Sequence, residues 1–399
     1  MHRSTRDEED RDSGLFRRRR AGLRLGTPVR LRRMHAASKV LTVRLSVAVV
    51  AALLTVFILW DAFQTMILSR RVTRRFRPTR AFYRLLWTPW RAVARRLPEG
   101  NWREDVLTVF GPLSLLMLIA LWALGLIVSF ALLHWGLGSQ LRDAHGASGF
   151  GMDLYMSGTT FVTLGLGDVT PSTPLARLLT VLESGMGFAF LALVIGYVPL
   201  ISQAFSRREV SISMLDARAG SPPTAARLLC RHSDEGREDL LELLRDWERW
   251  SGELLESHIS FPVLSYFRSQ HDNQTWVAAL TTVLDVCALL VTRIDEQPVT
   301  MARLTFAMAR HAVRDLCAVF RLEPAPSGDR LPAADEKRLE SVLSAVGLRL
   351  RSDEASVAQF MSLRSTYEPY VQALSGFLLM PLPVWVPPEA VEPVWHTIA

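Results

Sequence analysis

Cysteine is scarce in this sequence, and its three copies follow no pairing pattern. They occur among 399 residues, at Cys230, Cys287 and Cys317, with no CxxC spacing. Disulfide frameworks and closely spaced cysteine metal sites are therefore excluded as the basis of the fold. We interpret the three as buried thiols in a reducing compartment.

Patterns that carry enzymatic chemistry are also absent. The sequence has no GxGxxG, no alternation of strand and helix patterns, and no catalytic constellation. His258, His271 and Asp272 are candidates for metal binding, but their spacing matches no ligand pattern, and surface or core positions are the better interpretation. We therefore predict that the protein is not an enzyme. Three tryptophans are interpreted as core aromatics rather than a ligand box: Trp247, Trp250 and Trp276.

Charged residues are missing from a long stretch in the first half. Val106 to Trp135 carries no charged side chain apart from His134, and about 20 apolar residues are enough to cross a bilayer. Val40 to Leu68 and Leu175 to Phe205 are further candidate spans. None of these runs carries regularly spaced arginines, so voltage sensing is not predicted.

Positive charge, by contrast, is concentrated beside the apolar runs. The net charge is +7, and the Arg-rich segments 1–33 and 70–103 flank the first span. Their place next to membrane segments indicates anionic lipid headgroups as partners rather than nucleic acid. We predict a basic disordered N-terminus at 1–38, a membrane helix at 39–69, and a basic amphipathic cytoplasmic linker at 70–104. The linker's aromatic side chains are expected to dip into the headgroup layer; an ordinary cytosolic helix is the alternative.

The second half has helical periodicity throughout. We predict one all-α cytosolic domain at 207–380, followed by an extended Pro-rich tail at 381–399. The chain is thus expected to be an all-α membrane protein with a helical domain appended. The predicted helices of that domain are 234–258, 274–294, 300–320, 335–348 and 353–378.

Between the second and third spans lies the most informative motif, TLGLGD at Thr163 to Asp168. Consecutive backbone carbonyls can point the same way only where some residues adopt backbone angles that favour glycine. Such a strip replaces the water shell of an ion. We predict a pore domain at 105–206, with an outer helix at 106–135, a polar turret at 136–150, a re-entrant helix at 152–162, a filter at 163–168 and an inner helix at 175–205.

The stretch YMSGTTFVTLGLGDVTP, from Tyr155 to Pro171, resembles the pore domain of bacterial two-transmembrane-type potassium channels. The resemblance covers about 100 residues, Val106 to Phe205. It implies a homotetramer that conducts potassium ions and needs no other cofactor. It also implies ion sites built by Thr163, Leu164, Gly165, Leu166 and Gly167, and filter support from Asp168, Thr159, Tyr155 and Val162.

Three departures from that family leave the selectivity open. Leu166 stands where an aromatic is usual, Val162 where a second threonine is common, and Thr159 where some members carry a glutamate. A potassium channel and a weakly selective cation channel both fit. So does a membrane-anchored sensor or scaffold with a non-conducting pore. The domain's regulatory ligand is not identified.

The inner helix carries further candidate residues. The resemblance places Gly187 at a gating hinge, although close helix packing is the alternative. Glu183 is an acid at membrane depth, so we expect it either to line the cavity or to brace the re-entrant helix. Gly185, Gly196 and Pro199 mark other candidate bends.

Charge distribution and topology conflict at the N-terminus. The resemblance implies a multi-pass protein of the plasma (inner) membrane with its filter facing outward and its C-terminal domain cytoplasmic. If 39–69 spans, the basic residues 1–33 lie outside, against the positive-inside rule. We favour an outside N-terminus; a half-inserted first helix and a start at Met34 are the alternatives.

Overall fold

The fold is described from a computed structural model, which covers residues 27–68, 78–143, 149–232, 236–270, 273–294, 299–325 and 328–388. The chain divides into two compact units. Unit 1 comprises residues up to 60 together with 122–192, and unit 2 comprises 61–121 together with 193 onward. Within these described ranges, three helices are long and apolar enough to cross a membrane, as predicted.

The N-terminal part of the chain holds α1 (Thr27–Met66), α2 (Pro78–Ala94) and α3 (Asn101–Leu137). The prediction that residues 1–38 are disordered is wrong for 27–38, where the backbone is already helical. Pro28 fits there because proline in a first helical turn lacks only an amide that would have no partner. Residues 1–26 and 69–77 lie outside the described part of the chain.

Unit 1 contains the antiparallel pairing of α1 and α3. A Cβ added to Gly136 on α3 would lie 2.8 Å from the Arg44 carbonyl, and one added to Gly125 would lie 2.7 Å from Ile58. The guanidinium of Arg44 also lies over the Trp135 ring, 5.6 Å from its centroid. As α1 advances from 44 to 58, its neighbours on α3 recede from 136 to 125.

The central segment contains β1 (Leu141–Asp143), α4 (Phe150–Phe161), β2 (Val169–Pro171) and α5 (Pro174–Ala219). The turret is therefore not wholly irregular, because β1 pairs antiparallel with β2. The predicted end of the inner helix at 205 is also wrong. The helix continues to Ala219 because Ile212 and Leu215 maintain a buried face, and the first breakers are Gly220 and Pro222.

The C-terminal domain is all-α, as predicted. Helix α8 is buried at all 17 of its residues, so it is a core helix rather than a membrane span. The predicted core aromatics of the domain, Trp247 and Trp250 on α7 and Trp276 on α8, are buried, as are the three cysteines. The helices are α6 (Ala225–Arg231), α7 (Gly236–Ser260), a short 3₁₀ helix (Pro262–Tyr266), α8 (Trp276–Thr292), α9 (Val299–Phe320), α10 (Ala333–Ala345), α11 (Glu354–Ser365) and α12 (Glu368–Leu378).

Two features of this domain differ most from the predictions. The single helix predicted at 353–378 is broken between α11 and α12, because Pro369 has no amide to continue a helix and restricts the residue before it. The tail forms neither helix nor strand over 381–388, and it belongs to the core: Trp385 is buried and its carbonyl accepts a hydrogen bond from the Ala226 amide (3.1 Å). Residues 389–399 lie outside the described range.

Candidate functional site

The strip from Thr163 to Gly167 alternates between two backbone conformations. Thr163, Gly165 and Gly167 have φ angles of 60°, 55° and 80°, whereas Leu164 and Leu166 do not have positive φ. The left-handed conformation is rare for threonine and easy for glycine. Alternation of this kind turns successive peptide planes so that their carbonyls line one side of the strip, which is the geometry needed to coordinate a dehydrated cation.

Helix α4 holds the start of the strip through its last carbonyls. The Leu164 amide donates to the Thr159 carbonyl (2.8 Å), and the Thr163 amide donates to the Thr160 carbonyl (3.0 Å). The Thr159 hydroxyl donates instead to the Met156 carbonyl within the helix (3.0 Å). Thr159 therefore contacts the strip through its backbone carbonyl. Its hydroxyl bonds within α4 and makes no hydrogen bond to the strip.

The C-terminal end of the strip is held by Asp168. The Tyr155 hydroxyl, on α4, donates to its Oδ2 (2.7 Å), and the Val169 amide donates to its Oδ1 (3.0 Å). β2 begins at Val169, and its pairing with β1 anchors the chain just beyond. Both ends of the strip are thus attached to neighbouring secondary structure within unit 1.

Apolar side chains of the strip, and of the residue just before it, are uncovered in the single chain. Val162, Leu164 and Leu166 are 60%, 58% and 62% exposed. Leu166 has no group that could donate a hydrogen bond to α4, so the middle of the strip lacks the side-chain brace that Asp168 provides at its end.

A buried polar cluster lies in the interior of unit 1. Glu183 of α5, Ser157 of α4 and His134 of α3 are all fully buried. The Ser157 hydroxyl contacts Glu183 Oε1 and the Ile127 carbonyl (2.7 Å). His134 Nε2 lies 3.6 Å from Glu183 Oε2, and its Nδ1 lies 2.9 Å from the Ser139 hydroxyl. The sequence indicates a role for Glu183 but none for Ser157 or His134. The signal that could identify them is that an acid at membrane depth needs polar neighbours on adjoining helices.

The glycines of α5 have different surroundings. A Cβ at Gly187 would collide with the Phe161 carbonyl at the end of α4, whereas a Cβ at Gly185 or Gly196 would meet nothing within 4 Å. Gly187 thus permits close packing of α5 against α4. Pro199 lies inside α5, where it removes one helical hydrogen bond.

In unit 2, the segment Phe261–Arg268 contacts the ends of several helices, and we call it the junction segment. The Tyr266 ring lies 5.2 Å from Phe110 of α3, 5.1 Å from Trp87 of α2 and 5.6 Å from Tyr83 of α2. Arg268 forms an ion pair with Glu104 of α3 (2.9 Å). The expectation that the aromatics of the linker face lipid is therefore wrong for Tyr83 and Trp87, which are buried against protein.

Helix α5 meets the same segment through Arg208. The guanidinium is buried and donates to the carbonyls of Leu264 and Phe267, at 2.9 Å each. It also contacts the predicted metal candidate His258 (3.3 Å). His271 and Asp272 lie outside the described residues, and the part of the chain that the structure describes contains no group of three or more His, Cys, Asp or Glu able to hold a metal.

Comparisons with known proteins indicate a class of membrane protein. Residues 116–199 match the model of a family described as Ion channel, and this range contains α4, the strip and most of the apolar part of α5. Over 224 residues, or 55% of the chain, the sequence is 23% identical to YdjJ, an uncharacterized membrane protein of Bacillus subtilis (strain 168); the chain spans 62% of that relative's length. No solved structure matches. The family match supports an ion channel embedded in a membrane.

Proposed function

We propose that the chain conducts potassium-type cations through the carbonyl strip Thr163–Gly167. The observation that carries this proposal is the alternation of positive φ at Thr163, Gly165 and Gly167. It aligns carbonyl oxygens as ligands in place of an ion's hydration shell. The family match over residues 116–199 supports an ion channel, and the strip adds the coordinating chemistry that favours a cation.

The active form is a homotetramer. A single strip presents oxygens from one side only, so several copies must surround the ion, and cyclic symmetry is the usual way to close such an assembly. Exposure of Leu164 and Leu166 in the single chain supports this, because neighbouring copies would cover them. The proposed setting is the plasma (inner) membrane, with the helical domain cytoplasmic and anionic lipids around the basic segments.

Weak selectivity is the second candidate, and Leu166 favours it. Its apolar side chain cannot donate a hydrogen bond to α4, and Val162 places no hydroxyl below the strip. A strip that can change its width distinguishes potassium from sodium less sharply than a rigid one. Reversal potentials in asymmetric potassium and sodium separate the two candidates.

The helical domain is proposed to regulate conduction through the junction segment. That segment binds α5 through Arg208 and α3 through Arg268. A change in the packing of the domain would therefore act on both spanning helices. Rigid elements joined by such contacts are a common basis for conformational switching.

Potassium flux into proteoliposomes tests the conducting strip. Gly165→Ala places a Cβ at φ 55°, which costs an L-residue about 1 kcal/mol in each copy, so we expect flux to fall roughly tenfold or more. Gly151→Ala is the matched control, because Gly151 is helical and its added Cβ meets nothing within 4 Å. Equal conduction by wild type and Gly165→Ala would show that the strip is not the filter.

A further inference from the structure

The cluster of Glu183, Ser157 and His134 joins three helices at one point. Each residue comes from a different element, α5, α4 and α3, and none of the three side chains is exposed. Burying a carboxyl group among apolar helices is unfavourable unless polar groups compensate it. The contacts of Ser157 and His134 compensate the buried Glu183 carboxyl only while the three helices keep their present positions. The cluster therefore favours one arrangement of α3, α4 and α5.

Burial in the single chain also decides between the two roles considered for Glu183. A residue that concentrates cations has to face the water-filled pathway. Glu183 is fully covered by its own chain, and adding further copies can only cover it more. Its Oε1 contacts the Ser157 hydroxyl on α4, so the carboxyl group faces the re-entrant helix.

The hydrogen bonds of the cluster place it close to the strip. Ser157 has one hydroxyl proton and two acceptors in reach, Glu183 Oε1 and the Ile127 carbonyl. Two residues beyond Ser157, the Thr159 carbonyl accepts the hydrogen bond from the Leu164 amide. A shift of α4 at Ser157 therefore changes the support of the first ion-coordinating residues.

We propose that Glu183 is a positioning residue for the filter, which acts through Ser157 and His134 to fix α4 against both spanning helices and thereby sets ion selectivity. This inference rests on the proposed function. Glu183 does not touch the ion. Its contribution is to prevent α4 from moving relative to α3 and α5, so that the carbonyls of the strip keep the spacing that suits potassium.

Two readouts test the role of Glu183 in wild type, Glu183→Gln, Glu183→Ala and a control, Thr180→Ala. Thr180 lies one turn earlier on α5, and its hydroxyl bonds only within the helix, to the Ala176 carbonyl. The first readout is the potassium-to-sodium permeability ratio in proteoliposomes. The second is hydrogen exchange at the Leu164 and Gly165 amides, which needs no conduction.

We expect Glu183→Ala to lower the permeability ratio severalfold and to speed exchange at these amides about tenfold, the effect of losing one buried hydrogen bond. Glu183→Gln keeps a polar partner for Ser157 and should keep both values, as should the control. Ser157→Ala, a smaller change that threatens assembly less, should reproduce Glu183→Ala.

The contrary outcomes are distinct. Glu183→Gln and Glu183→Ala could reduce potassium flux equally while the permeability ratio and the amide hydrogen exchange stay unchanged. In that case Glu183 acts by its charge and the positioning role is wrong. Unchanged values in Glu183→Ala and Ser157→Ala would also overturn it. If wild type carries no flux, the proposed function fails. Unaltered hydrogen exchange at Leu164 and Gly165 in the variants would separately refute the positioning role of Glu183.

Discussion

Arg208 and His258 form an unusual buried pair in unit 2. His258 Nδ1 lies 2.8 Å from the Leu254 carbonyl, and since a carbonyl only accepts, the proton is on Nδ1. The unprotonated Nε2 then accepts from Arg208 Nη1 (3.3 Å). Burial, together with the positive charge of Arg208, holds the pKa of His258 well below its ordinary value of 6.5. The imidazole is therefore neutral, and Glu209 balances the guanidinium.

This pair predicts a loss of stability in acid. The unfolded chain binds a proton at His258 near pH 6.5 and the folded chain does not, so the free energy of unfolding falls as pH drops below 6.5. The expected loss between pH 7.5 and 5.5 is on the order of 1 kcal/mol. His258→Gln keeps an acceptor for Arg208 but does not titrate, so that share of the pH dependence should vanish in denaturant unfolding of the detergent-solubilised protein. An identical pH dependence in both proteins would contradict the assignment.

Some residues of the candidate site can be predicted from the sequence and others cannot. Thr163, Gly165 and Gly167 were predictable as strip residues, because only particular backbone angles align carbonyls. The partners of Glu183 were not, since any polar side chain on neighbouring helices could serve and only packing selects Ser157 and His134. Gly187 carried two hypotheses from sequence, and its contact with the Phe161 carbonyl favours close packing without testing the hinge.

At the scale of elements, α2 shows where an amphipathic pattern is ambiguous. Arginines alternating with aromatics suit a lipid surface and a protein surface equally. In the structure the Trp87 indole donates to the Phe377 carbonyl (3.1 Å) and its ring lies 4.7 Å from Phe110, whereas Leu85 is 75% exposed. The apolar positions of α2 are thus divided between the helical domain and the surroundings, a division that no periodicity could predict.

Trp87→Ala tests the contribution of this contact. Truncating a buried tryptophan costs about 3–5 kcal/mol, so we expect a lower melting temperature and faster proteolysis at the junction segment. If the domain regulates conduction through this contact, potassium flux in proteoliposomes should change as well. Leu85→Ala is the matched control on the same helix and should alter stability by less than about 0.5 kcal/mol. Wild-type flux from a destabilised Trp87→Ala protein would argue against coupling at the junction.

Helix existence and type were predictable along most of the chain, and the errors have physical causes. The continuation of α5 to Ala219 carries Ile212 and Leu215 on a buried face, and burial of that face depends on tertiary packing. Likewise, composition predicts an extended Pro-rich tail from 381 onward, yet Trp385 in that segment is buried in the core. Proline predicted an extended backbone there but not what that backbone packs against.

For the whole molecule, the pairing of α1 with α3 bears on the topology conflict. Residue 44 lies beside 136 and residue 58 beside 125, which spans 14 positions of α1, or about 21 Å at 1.5 Å per residue. A helix lying flat at the interface could not follow a spanning helix over that length. Arg44, a basic residue of α1, has a cation–π partner in Trp135, where the first part of α1 lies beside the C-terminal end of α3.

The antiparallel pairing predicts that Ser38 and Gln140 lie on the same side of the membrane. Single cysteines at these two positions should react with an impermeant maleimide in intact cells, whereas a cysteine at Leu85, beyond the end of α1, should react only after permeabilisation. The native thiols provide little background, because all three are buried and burial raises the pKa of Cys230 to about 11 and of Cys317 to about 12. Labelling of Gln140→Cys but not Ser38→Cys in intact cells would mean that α1 does not cross beside α3. The basic N-terminal segment would then lie on the cytoplasmic side, as the positive-inside rule prefers.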